Sequence, residues 1–179
     1  STTKATLLKK SAIKEFQKKI IPLATIITPN KKEAKLLTGI SPVRKSAKKL
    51  QELGATNVII TGSKESNGKI EDFILESKKE YILKGEKIKI INHGSGCNYS
   101  ASITASLAMK RSINDAAIQA KEYVIQSIKN SKKLGKGIRI THKKIPNIQK
   151  ELSKSILDFQ NIKNVEKLIP ECQTNFVFS

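Results

Sequence analysis

The residues best suited to chemistry stand together in the stretch Gly94-Ser95-Gly96-Cys97. An apolar, β-branched run precedes this stretch and a run of small residues follows it to Met109, which predicts a strand, a glycine-rich turn and then a helix. Glycines permit a close approach of a ligand, and the N–H groups of a first helical turn attract negative charge. We therefore interpret Gly94, Ser95 and Gly96 as a candidate anion hole.

Cys97 is the candidate for proton transfer at this turn. A thiol at a helix N-terminus has its pKa lowered, so that the thiolate becomes accessible near neutrality. Such a group could remove the proton from a substrate hydroxyl that attacks a phosphate held beside it. From the local sequence alone, the alternative stays open that Cys97 is a small apolar residue filling a contact between the helix and the strand.

The composition narrows the classes of partner. The 179 residues include 34 Lys and Arg against 15 Asp and Glu, which gives a net charge of +19. The basic residues are spread along predicted helices, and the chain has only five Phe, three Tyr and no Trp for stacking on bases. We therefore expect most of this charge to be solvated helix surface and do not expect nucleic acid as a partner.

Cysteine content and hydropathy point to a cytoplasmic protein without a membrane segment. Cys97 and Cys172 are the only cysteines and form no C-x-x-C motif, which argues against a disulfide framework or a zinc site. No apolar run approaches the roughly 18 residues that a membrane span needs. The only methionine is Met109 and the chain ends on an apolar run, so we expect a segment of a longer polypeptide.

The order of predicted elements indicates an α/β fold. Continuous apolar strands at 24–28 and 57–61 flank two short helices, which predicts parallel strands with a right-handed crossover. The segments 69–77 and 79–85 alternate around a polar turn and predict an antiparallel hairpin at the sheet edge. Two longer helices are expected at about 97–109 and 113–130.

Beyond Gly137 the pattern changes. Residues 138–149 are interpreted as a basic, proline-containing connector, and an amphipathic helix is predicted after it. We place a domain boundary between residues 145 and 146.

Four segments in the same order resemble hydroxymethylpyrimidine kinases, also called phosphomethylpyrimidine kinases, of the ribokinase-like superfamily. They are PLATIITPNKKEAKLLTG, NVIITG, HGSGCNYSASITASLA and AAIQAKEYVIQSIKNSKKLGKG. The resemblance covers Leu7 to His142. It implies a three-layer α/β/α domain with a mostly parallel sheet, of which residues 1–145 would form the C-terminal part. It also implies phosphoryl transfer from ATP, with Mg²⁺, to the thiamine pyrimidine precursor.

The resemblance also assigns roles to residues. The family's G-T-G-C turn corresponds to the turn at Gly94, with serine in place of threonine, and its cysteine takes the place of an aspartate base in related sugar kinases. The family's T-P-N-x-x-E motif corresponds to Thr28, Pro29, Asn30 and Glu33, with Asn30 toward phosphate and Glu33 toward Mg²⁺ through water.

Further nucleotide contacts are implied at Thr61, Gly62 and Gly135. The Thr61-Gly62 pair departs from the family's pattern, because the family often has a lysine followed by two glycines after this strand. Thr-Gly at this position is closer to related sugar kinases.

The final segment, Leu168 to Ser179, resembles the opening of an archaeal-type thiamine-phosphate synthase domain. Residues 146–179 are therefore expected to hold a connector helix and the start of that domain. The kinase segment alone is expected to be inactive, since the resemblance places part of the substrate pocket outside it.

Two other functions stay open. One is a pyridoxal-type kinase of the same superfamily, and the other is a non-catalytic module that binds a phosphorylated ligand or nucleic acid. A homo-oligomer is compatible with the sequence.

Overall fold

A computed structural model of the protein describes residues 10–133, 138–141 and 154. The chain divides into two units, residues 1–143 and 144–179. Apart from Lys154, the predicted connector helix and synthase-like segment lie outside the described residues, as does Gly135. The boundary at 145/146 and the nature of the second domain stay predictions.

Five α-helices and seven strands are described. The helices are α1 (Lys10–Glu15), which continues through a π-helical turn (Phe16–Ile20) and a 3₁₀ turn (Ile21–Leu23), then α2 (Lys31–Thr38), α3 (Val43–Glu52), α4 (Ser95–Ala108) and α5 (Ile113–Lys129). The strands are β1 (Ile26–Ile27), β2 (Asn57–Ser66), β3 (Lys69–Glu76), β4 (Lys79–Glu86), β5 (Asn92–His93), β6 (Lys132–Lys133) and β7 (Arg139–Ile140). The helices α1–α5 and strands β1–β7 all belong to the first unit.

The main sheet has the order β1-β2-β3-β4. Strands β1 and β2 run parallel, and β3 and β4 form the predicted antiparallel hairpin. The sheet was predicted to be mostly parallel. In the described residues it is mixed, because β2 also pairs antiparallel with β3. Asn67 and Gly68 explain this difference: both have positive φ, 48° and 72°, as a tight two-residue hairpin turn requires.

The sheet is covered on both faces, as the continuous apolar strands predicted. Val58 and Ile60 of β2 pack with Phe73 and Leu75 of β3 against α2 and α3. The alternate residues Ile59 and Ile74 face the other way and pack with α4 and α5. The resulting helix–sheet–helix arrangement confirms the predicted three-layer α/β/α class.

A second small sheet corrects the prediction for residues 138–149. It has the order β5-β7-β6, and β5 runs parallel to β7, with His93 opposite Ile140. The segment interpreted as a connector therefore begins as a strand, because Ile138 to Thr141 alternates branched apolar and polar side chains and can pair with the strand before the turn.

No helix in the described part of the chain is long and apolar enough to cross a membrane.

Candidate active site

The glycine-rich turn forms the start of α4. Gly94 has φ 96° and ψ −6° and is the N-cap residue, so α4 begins at Ser95 rather than at Cys97. The Gly94 carbonyl accepts a hydrogen bond of 2.9 Å from the Asn98 N–H, but a glycine offers no side chain to cap the first turn. Since the first N–H groups of a helix have no partner within the helix, Ser95, Gly96 and Cys97 direct theirs out of its end. Gly96 and Cys97 are exposed there.

Thr141 holds this turn from the neighbouring strand end. Its backbone N–H and its hydroxyl both donate to the His93 carbonyl at 3.1 Å, and Oγ1 accepts a bond of 2.9 Å from Asn98 Nδ2. A Cβ at Gly94 would lie 2.8 Å from Thr141 Oγ1, so the close approach of Thr141 requires glycine. Sequence reasoning missed Thr141, and the signal that could have found it is the β-branched run before it.

Asn30 and Glu33 cap α2 reciprocally. Asn30 Oδ1 accepts from the N–H groups of Lys32 and Glu33 at 2.9 and 3.0 Å, while Glu33 Oε2 accepts from the Asn30 N–H at 2.9 Å. This is a capping box, which stabilises the start of the helix and fixes both side chains. The described residues include no group of three or more His, Cys, Asp or Glu that could hold a metal ion by themselves. A carboxylate such as that of Glu33 is the kind of oxygen ligand that Mg²⁺ prefers, and this ion usually keeps several of its waters.

The Thr28–Asn30 segment meets the first turn of α4 through a pair of hydroxyls. Thr28 Oγ1 lies 2.9 Å from Ser100 Oγ, and Ser100 Oγ donates to the Gly96 carbonyl at 3.2 Å. Because the Ser100 hydrogen is directed at Gly96, Thr28 is the donor to Ser100. Two motifs that are far apart in the sequence are thereby joined by side-chain hydrogen bonds.

Thr61 and Gly62 lie beside the same segment. The Thr61 N–H donates to the Pro29 carbonyl at 2.9 Å, and Asn30 and Thr61 form an isolated parallel bridge. Gly62 has φ 61° in a β-bulge between Ile60 and Lys64. Of the predicted site residues, all but Gly135 therefore fall in three segments connected by direct hydrogen bonds.

Tyr99 is the titratable side chain most strongly affected by its surroundings near the turn. It is 5% exposed, and burial raises its pKa well above the usual range, with the Asp72 carboxylate as the second cause. Its hydroxyl makes no hydrogen bond of ordinary geometry within the described residues, although it is close enough to Asp72 for the charge to act. Tyr99 thus stays protonated and is excluded as a general base.

Two surface cavities lie away from these segments. One of about 450 Å³ lies along α5 and one of about 330 Å³ beside the turn between β3 and β4. The first is lined by Arg111, Asp115, Ile118, Gln119 and Glu122. Neither cavity includes a predicted site residue, and the candidate site is defined here by its hydrogen bonds.

The chain is similar in sequence to known small-molecule kinases. A kinase from Haemophilus influenzae named hydroxymethylpyrimidine/phosphomethylpyrimidine kinase is 35% identical over 143 residues, which are 74% of this chain and 53% of that protein. The pyridoxine kinase of Bacillus subtilis is 36% identical over 124 residues, 65% of this chain and 46% of that protein. The chain thus spans about half the length of the curated relatives it matches.

A solved structure gives the same result. Pyridoxal kinase from Staphylococcus aureus, in complex with AMP-PCP and pyridoxal, is 31% identical with a TM-score of 0.70, covering 77% of this chain and 54% of that one. The model of the family described as phosphomethylpyrimidine kinase matches residues 1–142. The chain therefore belongs to the phosphomethylpyrimidine kinase family.

Proposed function

We propose that the chain carries the phosphoryl-transfer half of an ATP-dependent kinase that phosphorylates hydroxymethylpyrimidine or its phosphate in thiamine diphosphate synthesis. The observation that carries this proposal is the Thr28–Ser100–Gly96 hydrogen-bond chain. It joins the end of β1 to an uncapped helix N-terminus, where backbone N–H groups attract a phosphate.

The turn supplies the donors. The N–H groups of Ser95 and Gly96, with the geometry set by Gly94, bind the transferred phosphoryl group and stabilise the charge that spreads over its oxygens. Cys97 is exposed at the same helix end and accepts the proton of the attacking hydroxyl as general base. Its thiol stands beside the donors, so one helix terminus serves both tasks.

ATP lies on the neighbouring segments in this proposal. Asn30, Thr61, Gly62 and Gly135 contact its phosphates, and Glu33 holds Mg²⁺ through water. Mg²⁺ neutralises phosphate charge when bound. Support comes from the bridge between Asn30 and Thr61 and from the capping box that fixes Glu33.

The activity requires a polypeptide of the relatives' length. The 179 residues span about half of those proteins, and we propose that they are inactive alone. We further propose that residues 146–179 connect to a thiamine-phosphate synthase domain.

The test is a chimera in which residues 1–142 replace the matched part of the Haemophilus influenzae relative. Circular dichroism and thermal unfolding first establish that it folds. We expect it to transfer phosphate from ATP to hydroxymethylpyrimidine phosphate in the presence of Mg²⁺. We expect the 179-residue chain to show no such transfer and no tight binding of ATP in calorimetry. A folded chimera without transfer would leave only a non-catalytic role in binding a phosphorylated ligand.

A second candidate is a pyridoxal kinase, favoured by the identity of 36% to the Bacillus subtilis pyridoxine kinase. A reciprocal chimera in that protein separates the two. We compare the ratio of kcat/KM for the pyrimidine and for pyridoxal in each chimera with the ratio in its parent. A pyrimidine kinase segment shifts both ratios toward the pyrimidine, and a pyridoxal kinase segment shifts both the other way.

A further inference from the structure

A buried ion pair lies behind the Thr61-Gly62 segment. Lys121 Nζ of α5 is 2.7 Å from Asp72 Oδ2 of β3, and the two side chains are 8% and 5% exposed. A buried ion pair is often no more stabilising than an apolar pair of the same volume. Asp72 makes a further contact besides this pair.

The other Asp72 oxygen forms a hydrogen bond with the backbone of the β-bulge. Oδ1 accepts a hydrogen bond of 3.0 Å from the Gly62 N–H. The register between β2 and β3 places Ile60 opposite Phe73 and Lys64 opposite Glu71, so Thr61, Gly62 and Ser63 all face Asp72. The carboxylate therefore replaces a ladder hydrogen bond that the bulge removes.

Gly85 of strand β4 leaves space for the Lys121 side chain to reach this carboxylate. A Cβ at Gly85 would lie 2.3 Å from Lys121 Cε, so only a glycine leaves room for the lysine stem between α5 and Asp72. The two Asp72 oxygens thus accept from both sides, Oδ2 from the Lys121 ammonium and Oδ1 from the Gly62 N–H. Tyr99 is the further titratable group beside Asp72.

On the other side of the bulge, the Thr61 N–H donates to the Pro29 carbonyl. The bulge is thus held between Asp72 and the segment that leads into Asn30. We propose that Asp72, anchored by Lys121, is a positioning residue that sets the Thr61–Ser63 bulge for binding the phosphates of ATP. This inference rests on the proposed kinase function.

The experiment uses a matched pair of double variants without a buried charge. Both carry Lys121→Met. One carries Asp72→Asn, which keeps an acceptor for the Gly62 N–H, and the other carries Asp72→Leu, which has a similar size and no acceptor. Lys129→Met is the control, because it removes a lysine of the same helix from an exposed pair with Glu86.

The first readout is hydrogen exchange of the Gly62 amide in the full 179-residue chain. A hydrogen bond between neutral groups is typically worth about a two- to tenfold change in an equilibrium. We therefore expect the Leu variant to exchange about two- to tenfold faster at Gly62 than the Asn variant, with equal rates in β4. Equal exchange at Gly62 in the two variants overturns the inference.

The second readout is the kinetics of the same variants in the Haemophilus influenzae chimera. We expect the Leu variant to raise the KM for ATP about two- to tenfold over the Asn variant while kcat changes less, and Lys129→Met to match the unsubstituted chimera. A KM for ATP equal in both variants of an active chimera overturns the positioning role. An unsubstituted chimera that folds but does not turn over refutes the proposed function instead, and the Gly62 exchange then decides alone whether Asp72 pins the bulge.

Discussion

Thr28 Oγ1 and Ser100 Oγ lie 2.9 Å apart, although 72 positions separate them in the sequence. The contact ties the end of β1 to the first turns of α4, and through Ser100 to the Gly96 carbonyl. Each segment carries predicted site residues, so this pair connects the two parts of the candidate site directly.

The contact should be measurable as a coupling energy. In a double-mutant cycle of Thr28→Val and Ser100→Ala, we expect a coupling of about 0.5–1.5 kcal/mol in the free energy of unfolding. Each single variant loses the same neutral hydrogen bond, and the double variant loses it only once. The control cycle pairs Thr28→Val with Thr104→Val. The Thr104 hydroxyl donates to the Ser100 carbonyl and not to Thr28, so these changes should add. Equal coupling in the two cycles would contradict a specific contact.

The turn glycines should respond differently to alanine. Gly94→Ala introduces a Cβ at positive φ, 2.8 Å from Thr141 Oγ1, and should destabilise the chain by about 1–3 kcal/mol. A Cβ at Gly96 meets nothing within 4 Å, and Gly96→Ala within a helix should stabilise by about 0.5–1 kcal/mol. Urea unfolding monitored by circular dichroism measures both. If the two variants unfold at the same urea concentration, Gly94 is not constrained as described.

Thr141 should support the turn through its hydroxyl. Thr141→Val removes the acceptor of Asn98 and one donor to His93, and should lower the free energy of unfolding by about 1 kcal/mol. Thr141→Ser keeps the hydroxyl and should stay within about 0.5 kcal/mol of the parent. Equal stability of the valine and serine variants would show that the hydroxyl is not needed.

At the start of α2, one substitution should lower the stability of the fold and another should affect function without lowering stability. Asn30→Ala removes the cap and should cost about 0.5–2 kcal/mol. Glu33→Gln keeps a side chain that can complete the capping box and should leave stability nearly unchanged, yet raise the Mg²⁺ concentration needed for half-maximal turnover of the chimera. An unchanged Mg²⁺ dependence would remove Glu33 from the magnesium site.

The features that the sequence predicts correctly are local. The apolar runs of β1 and β2 and the small residues of α4 act within a few positions, so periodicity reveals them. These features sufficed for the α/β class, while most candidate site residues came from the family resemblance and stay predictions.

One feature that sequence reasoning missed is local, because the β2–β3 pairing follows from the Asn67-Gly68 turn, a hairpin signal with polar flanking residues. The other missed features depend on long-range contacts. The strand at Arg139–Ile140 appears only once it pairs with β5. The Asp72–Lys121 pair joins residues 49 positions apart, and no spacing rule connects a strand aspartate to a helix lysine at that separation.

The most direct test of phosphoryl transfer at the Gly94–Cys97 turn is the turnover of Cys97→Ala in the Haemophilus influenzae chimera. General base catalysis is typically worth about 10²–10⁴-fold, so kcat for hydroxymethylpyrimidine, whose hydroxyl is the attacking group, should fall by a factor in that range while the KM for ATP changes little. Cys97→Asp should retain part of the activity, because a carboxylate can also accept the proton. Turnover of Cys97→Ala within a few-fold of the unsubstituted chimera would contradict the account and leave the thiol with a packing role alone.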